Sequence, residues 1–443
     1  MSQRLFCTGS GMSIKQNKIL VLGGYGGNNV GDDAQLAGSL EDLRSALPSA
    51  TIVVLTPDLN QTALRHVIGA VGYAPRVSFF DYDEDWKRYA HFGLPDHTKW
   101  LQERAEWIYA QAMRLAGGIS HELTQKQLNL IEEIRTARLV YYSGGGYMMG
   151  PTASRLWDAM LVCRVANLFD TPVVMSGQNI GIWIRDYDRK CARLGFPSVS
   201  VISTRDDTFS RAALDEIGVA GPHILTTHDD ALFTTAAPDV GRYILRRIGM
   251  PANRPFISLS LHLKDGGLEV VKAIRRETDL PIVIVPTCPP DQGVQKDIYA
   301  RAIKADIEDV FIVRKLHSHA EIKGLISLAH ACVSSRHHPL IFAMGHNVPC
   351  VSVNLSPYFN AKNLGAMDLC DVGEYCLDFA DRDFSDERMK LFSRKLSEVI
   401  RDRDGVSSRI AHSHIALHAA KQRFMSMVAD IYDSGMLPLK RSA

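Results

Sequence analysis

The sequence predicts an α/β protein built from two doubly wound, Rossmann-like domains that face a cleft. Short β-rich apolar runs alternate with segments of helical periodicity along almost all of the 443 residues. Strands that are apolar on both faces and joined by helices are typical of parallel sheets with helices on each side. The alternation pauses at Thr234-Thr235-Ala236-Ala237-Pro238 and then restarts, which predicts a domain boundary there.

The predicted strands form two series, one on each side of that boundary. The first series is Ile19–Leu22, Ile52–Leu55, Val77–Phe80, Leu139–Tyr142, Val173–Met175 and Val199–Ile202. The second is Phe256–Leu261, Ile282–Val285, Val310–Val313, Ala331–Val333 and Cys350–Val353. A helix is expected over Asp33–Leu47, where leucines recur on one face, and another over about Ser407–Ser434, ending at Gly435.

These elements divide the chain into four parts. Residues 1–13 are expected to be a loose leader and residues 14–237 the N-terminal domain, with a helical insert at about 81–135. Residues 238–404 are expected to form the C-terminal domain. Residues 405–443 supply a last helix, which we expect to pack back across the first domain, and a tail.

The composition is that of an ordinary soluble globular protein, with 46% hydrophobic and 22% charged residues. A formal net charge of +1 gives no argument for a nucleic-acid partner, and none is expected. No signal peptide is visible, and no apolar run approaches the roughly 18–20 residues that span a bilayer. The cysteines form no CxxC pair, which favours reduced thiols and a cytoplasmic protein. Association with the inner face of the membrane and homo-oligomer formation stay open.

The segment Cys332–Ala343 reads as a strand, a cationic turn and a helix start. Proline suits the first position of a helix, so Pro339 is expected there with His338 as the cap. That places Arg336, His337 and His338 at the positive end of a helix, an arrangement that suits a small, highly charged anion.

Four other loops follow predicted strands, so they are expected at the edge where ligands bind in open α/β sheets. They are the glycine-rich loop from Gly23 to Asp33, with Asn29 and Asp32; Ser143–Gly146, with Gly145; Ser176–Gly181, with Gln178; and the turn that carries Arg205. The first loop is not a Walker loop, because Asp32 stands where phosphate binding needs lysine.

The order of these motifs resembles the polysaccharide pyruvyl transferase family. The matching stretches are Asn29-Val30-Gly31-Asp32, Gly144-Gly145-Gly146, Gly177-Gln178-Asn179-Ile180-Gly181, Thr204-Arg205-Asp206 and Ser335-Arg336-His337-His338, within a region from about Lys18 to Ala366. The family is similar in fold to glycosyltransferases of the B type. The resemblance implies transfer of a pyruvyl group from phosphoenolpyruvate to hydroxyls of a sugar, in a polysaccharide or its lipid-linked precursor, with release of phosphate.

By this resemblance the C-terminal domain holds the donor and the N-terminal domain the acceptor. We expect Arg205, Arg336, His337 and Lys362 to bind phosphoenolpyruvate, because guanidiniums suit a phosphate and a carboxylate. His338 is expected to be the catalytic acid–base group, a role typically worth about 10²–10⁴-fold in rate. Asn29, Asp32, Gly145 and Gln178 are expected in the acceptor or cleft loops.

The sequence departs from the family pattern at several positions. His337 stands where leucine is usual, Asn179 replaces a glycine, and Tyr358–Lys362 only approximates a Tyr-x-x-Lys motif. Two other interpretations therefore stay open: a glycosyltransferase with a nucleotide-sugar donor, and a non-catalytic glycan-binding relative. The acceptor sugar, its linkage, and a ketal as against an enolpyruvyl product are not decided by the sequence.

No metal and no cofactor are expected beyond phosphoenolpyruvate as co-substrate. The run Asp81, Asp83, Asp85 resembles the metal site of some nucleotide-sugar enzymes, but it precedes a helical insert instead of following a core strand. We interpret it as a solvated acidic loop. The histidines near the C-terminus lack the partners and spacing of a metal site.

Overall fold

The computed structural model describes residues 15–56, 72–75, 78–80, 95–219, 223–262 and 266–434. The expected leader, the acidic run at Asp81, Asp83 and Asp85, and Gly435 at the end of the last helix lie outside these residues. The described chain contains two parallel sheets with helices on their faces. This is the predicted α/β fold with two doubly wound domains.

The first sheet has the order β3-β2-β1-β4-β6-β7-β8, with the short β5 paired to β6. Its strands are β1 (Lys18–Leu22), β2 (Thr51–Thr56), β3 (Gly72–Pro75), β4 (Leu139–Tyr142), β5 (Gly145–Met148), β6 (Val173–Ile180), β7 (Val201–Thr204) and β8 (His223–Thr226). Its helices are α1 (Val30–Ala46), α2 (Pro95–Ala116), α3 (Gln125–Thr136), α4 (Ala153–Leu168), α5 (Asp186–Gly195) and α6 (Phe209–Glu216).

The second sheet has the order β11-β10-β9-β12-β13-β14. Its strands are β9 (Ile257–Ser260), β10 (Ile282–Ile284), β11 (Val310–Ile312), β12 (Ala331–Ser334), β13 (Cys350–Asn354) and β14 (Cys376–Asp378). Its helices are α7 (Pro238–Arg247), α8 (Gly267–Glu277), α9 (Pro289–Lys304), α10 (His319–Ile326), α11 (His337–Met344), α12 (Pro357–Leu369) and α13 (Asp386–Arg401), and α14 (Arg403–Ser434) ends the described chain.

Both sheets reverse their strand order beside the first strand of the domain, between β1 and β4 and between β9 and β12. Such switch points leave a crevice at the carboxyl ends of the strands, and ligands of doubly wound proteins bind there. The two crevices meet where the backbone N–H of Val30, at the start of α1, donates to the carbonyl of Thr287, after β10, at 3.0 Å.

Helix α14 packs on the first sheet. Phe424, Val428 and Ile431 are buried in one cluster with Ile19 and Val21 of β1. Lys421 enters the same interface, where its Nζ lies 2.7 Å from Asp230 Oδ1. The end of the chain therefore stabilises the N-terminal half of the molecule.

Two local predictions are corrected by the structure. Helix α11 begins at His337 and Arg336 is its cap, so His338 and Pro339 lie two positions further into the helix than expected. A proline is still accommodated there because the first N–H groups of a helix have no intrahelical partner. The predicted strand at Val77–Phe80 is not found at its described residues, 78–80, and β3 lies at Gly72–Pro75.

Candidate active site

A cavity of about 210 Å³ lies between the two crevices. The N-terminal domain lines it with Asn29, Asp32, Gly146, Tyr147, Thr152 and Arg155, and the C-terminal domain with Thr287, Cys288, Arg336, His337, His338, Tyr358, Phe359 and Lys362. The cavity therefore depends on both domains and holds most of the residues that the sequence singled out.

The turn after β12 places Arg336 on the cavity wall. The Ser334 hydroxyl accepts from the Arg336 N–H at 2.9 Å and donates to its carbonyl at 2.8 Å, which fixes the backbone before α11. The guanidinium binds Asp291 of α9, with Nε 2.8 Å from Asp291 Oδ1. Because Asp291 is buried and one quarter of the Arg336 side chain is exposed, the carboxylate anchors the guanidinium while part of it stays open to the cavity.

His337 is held on both sides of its ring. Nδ1 lies 2.9 Å from Asn363 Oδ1, and Nε2 lies 3.2 Å from Asp229 Oδ2. Burial lowers the pKa of His337 to about 3, and the nearby charges of Lys362 and Arg205 act in the same direction. The imidazole is neutral at pH 7 and carries one N–H, so it donates to only one of these two oxygens; a leucine at this position could donate to neither.

His338 packs against the first helix of the other domain. A Cβ on Gly31 would lie 1.8 Å from His338 Nδ1, so only glycine allows this approach. Burial lowers the pKa of His338 well below its ordinary value, against the opposing charge of Asp229. Its Nε2 is buried and has no hydrogen-bond partner among the described residues. His338 is therefore a neutral imidazole with one unused nitrogen on the cavity wall.

Arg205 lies one layer behind the cavity. It is 1% exposed, and its Nη1 donates to Asp229 Oδ2 in a short, buried ion pair. Burial alone would raise the pKa of Asp229, but the Arg205 guanidinium and the hydrogen bond with His337 hold it well below its usual range. Arg205 Nε and Nη2 have no partner within the described chain, and Nη2 would lie 2.9 Å from a Cβ on Gly146.

Gly146 marks the floor of the cavity, where polar atoms from the turn after β7 and from α12 converge. A Cβ there would lie 2.9 Å from Tyr358 Oη and 3.4 Å from Lys362 Nζ, besides the Arg205 nitrogen. Burial lowers the pKa of Lys362 to about 7, with Arg205 adding to the effect. A side chain at Gly146 would fill the space to which these donors point.

Asp32 faces this floor from the first turn of α1. Burial raises the pKa of Asp32 to about 6, although Lys362 and Arg155 act to lower it. An aspartate in a first helical turn normally favours its charged form. The raised pKa therefore reflects how far the cavity shields this carboxylate from water.

Of the remaining predicted cleft residues, one lines the cavity and two do not. Asn29 lines the cavity and caps α1, since its Oδ1 accepts from Gly31 N–H at 3.1 Å. Gly145 and Gln178 do not line it. Gln178 is fully buried and donates to the carbonyls of Ser143 and Ser176 at 2.8 Å each, so it joins the loops beneath the cavity.

Three functional candidates were missed by the sequence interpretation: Arg155, Asp229 and Asp291. Arg155 lies in the first turn of α4, and neither it nor Asp291 of α9 belongs to a motif. Asp229 did offer a signal, because Thr227-His228-Asp229-Asp230 is a polar run directly after a strand.

The part of the chain that the structure describes contains no cluster of three or more His, Cys, Asp or Glu side chains that could hold a metal ion. None of its helices is long and apolar enough to cross a membrane.

Two Rossmann-like domains with a charged cavity between their switch points define the class of B-type glycosyltransferase folds, which includes epimerases. Solved structures that share this fold include the following three. The chain is 13% identical to Anabaena Alr3699/HepE in complex with UDP and glucose, covering 94% of this chain and 99% of that one with a TM-score of 0.54. It is 11% identical to the UDP-GlcNAc 2-epimerase of Methanocaldococcus jannaschii, covering 85% and 91% with a TM-score of 0.52. It is 11% identical to an α,α-trehalose-phosphate synthase (UDP-forming) of Burkholderia vietnamiensis, covering 96% and 100% with a TM-score of 0.52.

No curated protein matches the sequence. The sequence profile of the polysaccharide pyruvyl transferase family, in contrast, matches residues 29–357. Because this range spans most of the chain, from the first turn of α1 into the start of α12, the protein belongs to the polysaccharide pyruvyl transferase family. Membership supports a transferase role in polysaccharide modification.

Proposed function

We propose that the protein transfers the pyruvyl group of phosphoenolpyruvate to two hydroxyls of one sugar, forming a pyruvate ketal and releasing phosphate. The sugar belongs to a polysaccharide or its lipid-linked precursor. The observation that carries this proposal is the small cationic cavity between the domains, which has family motifs on its walls.

The size of the cavity favours a small donor. Its volume is about 210 Å³, whereas pockets for drug-sized ligands span about 300–1,000 Å³. Phosphoenolpyruvate has the smaller bulk. A nucleotide sugar would leave much of its length outside the described walls.

The charges around the cavity favour a trianionic ligand. Its surroundings hold four cationic side chains, Arg155, Arg205, Arg336 and Lys362, and three carboxylates, Asp32, Asp229 and Asp291. Two of the carboxylates are used to anchor guanidiniums. We assign Arg336 to one anionic group of the donor. The other is assigned to Arg205, whose Nη2 has no partner within the described chain and reaches the cavity floor beside Gly146, and Lys362 lies next to both.

His338 is proposed as a proton-transfer group. Ketal formation removes a proton from each of two sugar hydroxyls: one proton ends on the methylene carbon of the donor, and the other leaves with phosphate. A neutral imidazole with an unused nitrogen can accept a hydroxyl proton and pass it to the departing phosphate. We assign this second transfer to His338.

The test is incubation with phosphoenolpyruvate and a panel of acceptor glycans, read by mass spectrometry for an added pyruvyl group and by an assay for released phosphate. We expect both products together. The proposal would be overturned if no acceptor gave phosphate release or pyruvylation and the protein instead transferred a glycosyl group from a UDP-sugar. That result would identify a glycosyltransferase.

A further inference from the structure

The proposed reaction needs an acid that His338 cannot supply. Adding the first hydroxyl to the central carbon of the donor requires a proton on the methylene carbon. Because burial keeps His338 neutral at pH 7, this histidine can accept a proton but holds none to give from a charged ring. The acid of the addition step must be another group on the cavity wall, and its assignment rests on the proposed function.

Lys362 is placed to reach the donor. It projects from the second turn of α12 to the cavity floor, where its Nζ lies 5.7 Å from the centre of the Tyr358 ring and close to Gly146. The Arg205 and Arg336 side chains are anchored by carboxylates, at Asp229 and Asp291. Lys362 has no such anchor among the described residues, so its ammonium group is free to act on a ligand.

Asp32 lies on the opposite wall, contributed by the other domain. Its carboxylate lines the same cavity and makes no hydrogen bond to any described side chain. The charged groups that act on it are Lys362, Arg155 and Arg205, with Asp33 beside it on α1. An acid and a base from different domains thus face one small space, and both are half-buried.

We propose that Asp32 and Lys362 are the acid–base pair of the addition step. Asp32 takes the proton of the attacking sugar hydroxyl, and the Lys362 ammonium gives a proton to the methylene carbon of phosphoenolpyruvate.

The step balances without an external reagent. The hydroxyl oxygen forms a C–O bond to the central carbon, and the electron pair of the C=C bond takes the Lys362 proton to make a methyl group. Asp32 is then protonated and Lys362 neutral, and transfer of the proton from one to the other restores both. The net change is the movement of one proton from the hydroxyl to carbon.

The protonation equilibria suit this pairing. Burial raises the pKa of Asp32 to about 6 and lowers that of Lys362 to about 7, so the two values lie close together. Both shifts bring the groups toward neutral pH, where the carboxylate of Asp32 can accept a proton and the ammonium of Lys362 can give one. General acid–base groups are most effective when their pKa lies near the working pH.

Replacing Asp32 separates catalysis from binding. We expect Asp32→Asn to lower kcat by about 10²–10⁴-fold. Phosphoenolpyruvate should bind as tightly as before or more tightly, because a negative charge beside the trianion is removed. The matched control is Asp386→Asn, which removes an exposed first-turn aspartate of α13 that does not line the cavity and should leave kcat unchanged.

Replacing Lys362 separates proton donation from charge. Lys362→Arg keeps the positive charge, so a pure donor-binding role would be largely preserved. A guanidinium cannot release its proton near neutral pH. We therefore expect a loss of about 10²-fold or more in kcat with a change of less than about threefold in the affinity for phosphoenolpyruvate, measured by calorimetry.

The pH profiles complete the test. The wild type should give a bell-shaped dependence of kcat on pH, and Asp32→Asn should lack the acidic limb. If Asp32→Asn keeps wild-type turnover, or if Lys362→Arg loses donor affinity but not kcat, the pair is not the acid and base even though pyruvyl transfer stands. If the wild type transfers no pyruvyl group, the proposed function itself fails and the acid–base assignment with it.

Discussion

Gly31 brings the first turn of α1 into contact with the His338 ring. An added Cβ would lie 1.8 Å from Nδ1, a distance that no real contact tolerates. Gly31→Ala should therefore displace His338 and lower kcat by about 10²-fold, the cost of roughly 1 Å of misplacement in an active site. The measurement is steady-state turnover with phosphoenolpyruvate.

The control for Gly31→Ala is Gly27→Ala in the same loop. A Cβ on Gly27 meets nothing within 4 Å, so this variant should keep wild-type kcat. Equal losses in the two variants would show that loop flexibility, and not contact with His338, is what the glycines supply.

Asp229 supplies the negative charge that pairs with the buried Arg205 guanidinium behind the cavity. It accepts from Arg205, from His337 and, at 2.8 Å, from Gln35. Asp229→Asn would leave the 1%-exposed guanidinium without a counter-charge, and breaking a buried pair in this way typically costs about 3–5 kcal/mol. We expect a loss of that size in the free energy of unfolding, measured by urea denaturation.

Replacing an exposed pair supplies the comparison for Asp229→Asn. The Arg254–Asp309 pair lies at 2.7 Å, but both side chains are about 40% exposed. Asp309→Asn should cost about 0–1 kcal/mol. If the two variants lost similar amounts of unfolding free energy, burial would not be the reason that the Asp229 pair stabilises the protein.

At the scale of elements, the sequence predicts well where strands are continuous apolar runs, including the three-residue strands β10 and β11. β1, β2, β4 and β9 to β13 were expected within about two residues of their observed ends. β5 (Gly145–Met148), β8 (His223–Thr226) and β14 (Cys376–Asp378) were missed. β5 begins with glycines, and β8 and β14 are short edge strands that mix apolar with polar residues, so pairing with a neighbouring strand and not local preference forms all three.

In the candidate site, too, some residues could be predicted from the local sequence and others depend on tertiary contacts. Residues in loops after strands, such as Asn29, Arg336 and His338, could be placed because parallel strands carry their carboxyl ends to one edge. Arg155 and Asp291 could not, since each lies in the first turn of a helix, where a charged residue is most often a surface residue. Only the approach of the two domains brings them to the cavity.

Helix α14 is fixed to the first sheet by a buried ion pair as well as by apolar packing. Lys421 Nζ lies 2.7 Å from Asp230 Oδ1 and 3.0 Å from Asp42 Oδ2, and these charges raise its pKa well above the ordinary value despite burial. Lys421→Met removes the cation and leaves Asp230 with one donor fewer. We expect the free energy of unfolding to fall by about 3–5 kcal/mol.

The adjacent Arg423 offers a matched control on the same helix. It is exposed, so Arg423→Met should change the free energy of unfolding by no more than about 0.5 kcal/mol. If Lys421→Met were as mild as Arg423→Met in urea denaturation, apolar packing alone would hold α14 in place.

At the scale of the whole molecule, the segment 231–234 between the two domains makes contacts with both of them. Lys323 of α10 donates to the carbonyls of Ala231, Leu232 and Thr234 at 2.7–2.9 Å. Just before this segment, Asp229 pairs with Arg205, and Asp230 pairs with Lys421 of α14. The connection is thus a packed, charged unit, which sets the position of the cavity walls relative to each other.

Buried neutral histidines should make the whole protein unstable in acid. Burial lowers the pKa of His228 and of His262 to about 4 each, and that of His337 to about 3, from an ordinary value of 6.5. Below pH 6.5 the unfolded chain binds protons that the folded chain excludes, so the free energy of unfolding falls as pH decreases from about 6.5 to 4. Each pKa unit corresponds to about 1.4 kcal/mol.

The measurement is urea denaturation at several pH values between about 7.5 and 4.5, with variants that isolate one histidine. His262 is half-buried, and its Nδ1 lies 2.7 Å from Ser335 Oγ, a contact that asparagine can keep. His262→Asn should therefore make the decline in stability toward acid shallower, because one of the groups that titrates only on unfolding is gone. His412→Asn, at an exposed position of α14, should leave the slope as in the wild type. Protonation of Asp32 acts in the opposite direction, because its raised pKa favours the folded state in acid. If the free energy of unfolding rose below about pH 6, carboxylates and not the histidines would dominate the pH dependence.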